Sequence, residues 1–181
     1  MQQISPVAAL VFTGHMIDLP DRKAQRFPPK AEPEAAAAIA KAIKNHTSKN
    51  TIGYASAARG GDILFHEAAR FHGLQTVVVI PFAPAEFVKA SVAGVTNGKW
   101  VERFWQLWEA TPIKQRMVLG LPVNDAAFAD CNAKLLSLAN EYETYRLIAL
   151  WDGKDEGGIG GTAHMIETAK AQSADVEVIA V

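Results

Sequence analysis

The strongest constraint on what this chain can fold into is a glycine-rich stretch at residues 151–170, reading WDGKDEGGIGGTAHMIETAK. The apolar run before it, residues 145–150, reads as a buried strand. After the glycines, Thr162, Met165, Ile166 and Ala169 recur at i, i+3, i+4 and i+7, the spacing of one helix face. A strand, a glycine loop and a helix start, in that order, make a site for an anion. Glycine allows close backbone approach and positive φ, and the first-turn N–H groups have no partner inside the helix. The ligand-binding candidates here are Asp152, Gly157, Gly158, Gly160, Gly161 and Thr162, whose hydroxyl adds a donor. A phosphate-bearing ligand is the natural occupant. The structural alternative is a flexible connection with a helix cap.

A second glycine loop of similar chemistry lies at residues 56–62, SAARGGD, after the short strand 51–55 and before a helical pattern at 63–72. Ser56 is a donor to phosphate or ribose, Arg59 a neutralising charge, and Gly60 and Gly61 allow backbone approach. Asp62 either accepts from ribose hydroxyls or caps the helix; Arg59 is then a surface residue. His66, one turn beyond Asp62, shares its helix face, and the pair is expected to orient each other and the loop.

The rest of the chain arranges these loops. Strands are expected at 7–13, 51–55, 76–80, 145–151 and 176–181, each apolar and continuous as buried parallel strands are. Helical patterns at 34–44, 63–72, 124–142 and 162–170 alternate with them. That alternation implies an α/β doubly wound parallel sheet with helices on both faces, of Rossmann-like type and order 3-2-1-4-5. The first, second and fourth strands then end around one crevice at the topological switch point, where such folds bind ligands. Gly14 and His15, at the end of the first strand, join the candidate site. A polar loop at 16–30, carrying Arg22, Lys23 and Arg26, is expected to act as a lid. Residues 82–124 read as an aromatic helical insertion in a single domain spanning 1–181. Its stripe of Trp100, Val101, Phe104 and Trp108 suits core packing, a homodimer contact or a partner. An extra strand or a loop fits 117–119. Trp151 is placed to line a base pocket.

Several classes are excluded or disfavoured. Charged residues make up 20% and the formal charge is −1, so nothing favours broad attraction to nucleic acid or an anionic membrane. The lone Cys131 sits in a helical apolar pattern and reads as core. No Cys/His cluster has zinc spacing, and no metal or cofactor is expected. The apolar run near the N-terminus is too short for a signal peptide or a span, so a cytoplasmic location is expected. Neither loop is a Walker A sequence, and no Gly-x-Gly-x-x-Gly follows the first strand. His46 and His72 fall near helix ends and receive no role.

Taken together, the two loops resemble the SLOG superfamily of Rossmann-like domains. Gly60-Gly61-Asp62 with His66 is similar to the Gly-x-Asp-x-x-x-His segment of its DNA-processing branch. Residues 157–162, GGIGGT, resemble the Pro-Gly-Gly-x-Gly-Thr-x-x-Glu of its phosphoribohydrolase branch, with one inserted glycine and no proline. The resemblance spans about 7–80 and 145–181. It implies a kept phosphate cradle. The catalytic glutamate of that branch corresponds here to Met165, and Glu167 is turned about 200° away around the helix. The expectation is therefore non-catalytic binding or sensing of a nucleotide or nucleotide-derived phosphate. The alternative is a nucleoside-monophosphate N-glycosidase using a displaced carboxylate, Glu67, Asp152, Asp155 or Glu156. A protein-interaction module with a vestigial crevice is the third reading.

Overall fold

A computed structural model describes residues 8–154 and 158–181. Six strands, β1 (Ala8–Gly14), β2 (Thr51–Ala55), β3 (Gln75–Ile80), β4 (Arg116–Val118), β5 (Thr144–Trp151) and β6 (Asp175–Ala180), form one sheet. Its order is β4-β3-β2-β1-β5-β6, and every pairing is parallel. The five expected strands keep their expected order. Residues 116–118 supply a sixth, short strand at the β3 edge.

Period-two alternation sends successive side chains to opposite faces. On β1, Leu10 and Phe12 pack into one core while Ala9 and Val11 pack into the other. On β5, Ile148 and Leu150 join the first core, Leu147 and Ala149 the second. The first core is closed by α1 (Glu32–His46), α2 (Gly61–Phe71) and the segment between β3 and β4. The second is closed by α5 (Ala126–Ala139) and α6 (Thr162–Ala171) through Cys131, Leu135, Leu136, Met165, Ile166 and Ala169.

The segment at 82–124 breaks into α3 (Pro84–Phe87), a π-helical turn (Val88–Val92), α4 (Trp100–Ala110) and β4. Residues 84–92 are helical, as expected for the insertion, but the bonding widens at Val88, whose carbonyl accepts from the Ala93 N–H five residues on. The stripe of α4 turns inward. Trp100, Phe104 and Leu107 are buried, Phe87 packs against Phe104, and Trp108 stacks on Phe104 at 6.0 Å. Among the described residues, no helix is long and apolar enough to cross a membrane.

Candidate functional site

The C-terminal ends of β1, β2 and β5 open on a cleft of about 670 Å3 at the switch point between β1 and β5, a volume usual for small-molecule sites. Gly14, His15, Ser56, Asp62, Gly158, Gly160, Gly161 and Thr162 all line it, so both glycine loops and the end of β1 converge there. Arg59, Gly60, Gly61 and Asp152 stand behind this lining. Gly157, like the candidate acids Asp155 and Glu156, lies outside the described residues.

The loop at 56–62 is closed upon its own chain. Arg59, 6% exposed, is neither a surface residue nor a cleft residue. Its Nε donates to the Ile17 carbonyl at 3.0 Å and its Nη1 to the Ala93 carbonyl at 3.2 Å. The Gly61 N–H donates to the His15 carbonyl, and the Arg59 N–H to that of Ser91. Gly60, at φ +96°, caps α2 where a Cβ would stand 2.6 Å from the Ile17 nitrogen. The glycine is required by the chain's own close approach.

Asp62 and His66 do not pair with each other as expected; each holds the loop separately. The Asp62 carboxylate accepts from the Ala58 N–H at 3.1 Å, while His66 Nε2 donates to the Ser56 carbonyl at 2.8 Å. Burial pushes the Asp62 carboxyl up to about 7, against the pull of the Ala58 bond. Burial also takes the His66 imidazole down to about 4, so it stays neutral at pH 7. Asp62 falls inside the first turn of α2, and Gly60 occupies the cap.

The loop before α6 is built differently. Gly158 and Gly160 have φ of +62° and +90°. The Gly161 N–H donates to the Gly158 carbonyl, so the expected row of free amides from 158 to 162 is shortened at that position. The first helical bond runs from the Met165 N–H to the Gly161 carbonyl, and α6 has no side-chain cap. Its open donors are thus the N–H groups of Thr162, Ala163 and His164. Asn132 of α5 fixes the loop by donating to the Gly160 carbonyl at 2.8 Å.

The loop at 16–30 is a wall rather than a lid. Ile17 and Phe27 are fully buried, and buried Asp18 accepts from the N–H groups of Arg26 and Phe27, both at 2.9 Å. Arg26 lines the cleft, while Arg22 pairs with Asp18 at 3.3 Å. The opposite wall is α5, through Asp125, Phe128, Cys131, Asn132 and Leu135. Burial pushes the Cys131 thiol up to about 12, which leaves it protonated and inert. Sequence reasoning missed Asp18, Asp125 and Asn132: each is a lone polar residue outside the glycine loops, and the Gly160 partner of Asn132 is distant in the chain. Trp151 ties its indole N–H to the Lys154 carbonyl and does not line the cleft. Glu67 lies outside the cleft, paired with Arg103 at 2.6 Å. Met165 is core, and Glu167 is exposed. Among the described residues no group of three His, Cys, Asp or Glu could hold a metal ion.

Sheet order, crossover pattern and cleft position define a doubly wound, Rossmann-like α/β domain. Its structural likeness is to DNA processing protein A from Streptococcus pneumoniae, with a TM-score of 0.57 and 16% identity, over 96% of this chain. The two share the Rossmann-like fold, and the chain spans 50% of that protein. N-carbamoylsarcosine amidase from Thermoplasma acidophilum aligns at 17% identity over 97% of this chain and 82% of its own. Its TM-score of 0.37 is too low to specify a shared architecture. No family model and no curated protein matches the sequence.

Proposed function

We propose that this domain binds or senses a nucleotide or nucleotide-derived phosphate ligand and does not transform it. The observation that carries this reading is the uncapped N-terminus of α6 opening on the switch-point cleft, flanked there by Arg26 and the Thr162 hydroxyl. Open amides at a helix start, a positive side chain and a hydroxyl donor together suit a phosphate. Phe87 and Phe128 give the same cleft apolar surface for a base. Binding is favoured over N-glycosidic cleavage because the position of the phosphoribohydrolase glutamate is buried Met165. Of the candidate acids within the described residues, Glu67 is spent on Arg103 and Asp152 on His15. The name of the structural neighbour concerns DNA. A formal charge of −1 supplies no general attraction to such a polyanion.

Thermal denaturation against a panel of nucleoside mono-, di- and triphosphates tests the reading. A ligand at about 100 times its Kd adds about 2.7 kcal/mol, roughly 5–11 °C in Tm for a chain of this size. Absence of any shift across the panel, with cooperative unfolding intact, overturns it.

A further inference from the structure

One pair of ionisable groups at the cleft is left unused by the phosphate contacts. His15 follows β1 as Asp152 follows β5, and the two strands are neighbours in the sheet. His15 Nε2 stands 2.9 Å from Asp152 Oδ1, with the two side chains 6% and 8% exposed. The Lys154 N–H donates to the same Oδ1 and fixes the carboxylate in turn. Burial alone would raise the Asp152 carboxyl, but the bonds from His15 and Lys154 outweigh it and hold it below its ordinary value. Burial pulls the His15 imidazole down in spite of Asp152, so the ring is neutral. An ionised carboxylate only accepts; the proton therefore sits on Nε2 and the lone pair on Nδ1.

Among the described residues nothing donates to that Nδ1, and the ring lines the cleft. A lone pair suits a phosphate oxygen poorly, since both are acceptors. It suits a hydroxyl. In a nucleotide whose phosphate rests on α6, the donors nearest the phosphate are the sugar hydroxyls, with the base farther out.

We propose that His15, positioned by Asp152, is the specificity-determining residue of the cleft and accepts a hydrogen bond from a sugar hydroxyl of a nucleoside phosphate. The proposal rests on the nucleotide reading above and adds to it a preference for ribose over deoxyribose. Asp152 is the positioning residue, acting through the tautomer it selects.

The full chain is titrated with the four ribonucleoside 5′-monophosphates and with their 2′-deoxy and 3′-deoxy counterparts. One deoxy series is expected to bind about tenfold more weakly, the loss of one buried acceptor's partner. In His15→Phe the gap closes to within about twofold, and His15→Gln, whose amide oxygen accepts, restores part of it. Nitrogen-15 spectra of wild type show an unprotonated Nδ1, and Asp152→Asn shifts that signature. Equal binding of ribo and both deoxy forms, a gap that survives His15→Phe, or a protonated Nδ1 in wild type overturns the proposal. If parity is found while binding still depends on Thr162, only this inference falls. If no nucleotide binds at all, the underlying reading falls and takes this one with it.

Discussion

The loop before α2 and the loop before α6 both run from a parallel strand into a helix through paired glycines, but their donors go to different places. At 56–62 the N–H groups of Ala58, Arg59 and Gly61 are taken by Asp62, Ser91 and His15, and the guanidinium of Arg59 is taken by Ile17 and Ala93. Gly60 is there because residues 15–17 pass at backbone distance, and Gly61 lies close against Phe12 and Gly14. Before α6, a Cβ on Gly158 would meet nothing within 4 Å, whereas one on Gly160 would stand 3.0 Å from the Ala129 nitrogen of α5; the first helical turn nevertheless leaves its donors without a partner among the described residues. One loop is closed on its own chain, and the other leaves the first-turn amides of its helix open, as the proposed phosphate binding requires. Glycine density alone does not distinguish a cradle for a ligand from a cradle for the chain itself.

The comparison is broken most directly at Gly60. Alanine there must hold φ near +96° with its Cβ against the Ile17 nitrogen and the His15 carbonyl, neither of which is a flexible side-chain end. The expected loss is about 4 kcal/mol, combining strain and overpacking, read as a lower midpoint in urea unfolding. A loss below about 1 kcal/mol would show that the brace is dispensable.

Asp62 gives the next largest effect, and its sign is fixed by pH. A carboxyl raised from its ordinary 3.8 to about 7 keeps its proton longer folded than unfolded. The native state then binds more protons than the unfolded state between those values, so stability falls as pH rises from about 4 to 7 and levels off above. Asp62→Asn removes the ionisation while its oxygen still accepts from Ala58. It is expected to be more stable than wild type by about 4 kcal/mol at pH 8 and nearly equal at pH 4. Parallel stability–pH curves for the two proteins would show that Asp62 is not the group responsible.

How much of this was legible in the sequence follows from the range over which each feature is decided. The strand order and the meeting of both glycine loops at one cleft were legible, because alternation, helix spacing and right-handed crossovers are properties of short segments. Whether an amide is free was not legible. The Gly61 and Thr162 amides look alike until the His15 carbonyl is seen to occupy the first. Arg59 misled for the same reason: a cation beside glycines suggests an anion, and only the fold shows it surrounded by carbonyls. The reading of 16–30 as a lid failed on Ile17 and Phe27, two apolar residues in a charged stretch that turn out to be anchors.

Arg59→Leu sharpens the contrast between bracing and receiving. Removing the guanidinium strands the Ile17 and Ala93 carbonyls, at a cost of about 2 kcal/mol. Once Tm is brought above the assay temperature, nucleotide affinity is expected to stay within about twofold of wild type, since a residue behind the lining contributes no ligand contact. A tenfold loss of affinity with unchanged stability would return Arg59 to the role its sequence context suggests.

The smallest stability effects belong to the receiving loop. Gly158→Ala meets no neighbour and costs only the positive φ, about 1 kcal/mol or roughly 2–4 °C. Thr162→Val keeps the shape of a side chain that is 8% exposed, and among the described residues its hydroxyl bonds to no protein group. Tm is therefore expected to move by about 1 °C at most, while affinity for a nucleoside phosphate falls about fivefold as one donor is lost. The two readouts separate only if this loop's donors are reserved for a ligand. A Thr162→Val protein as destabilised as Gly60→Ala would show that the second loop, too, is closed on its own chain, and the asymmetry between the two would disappear.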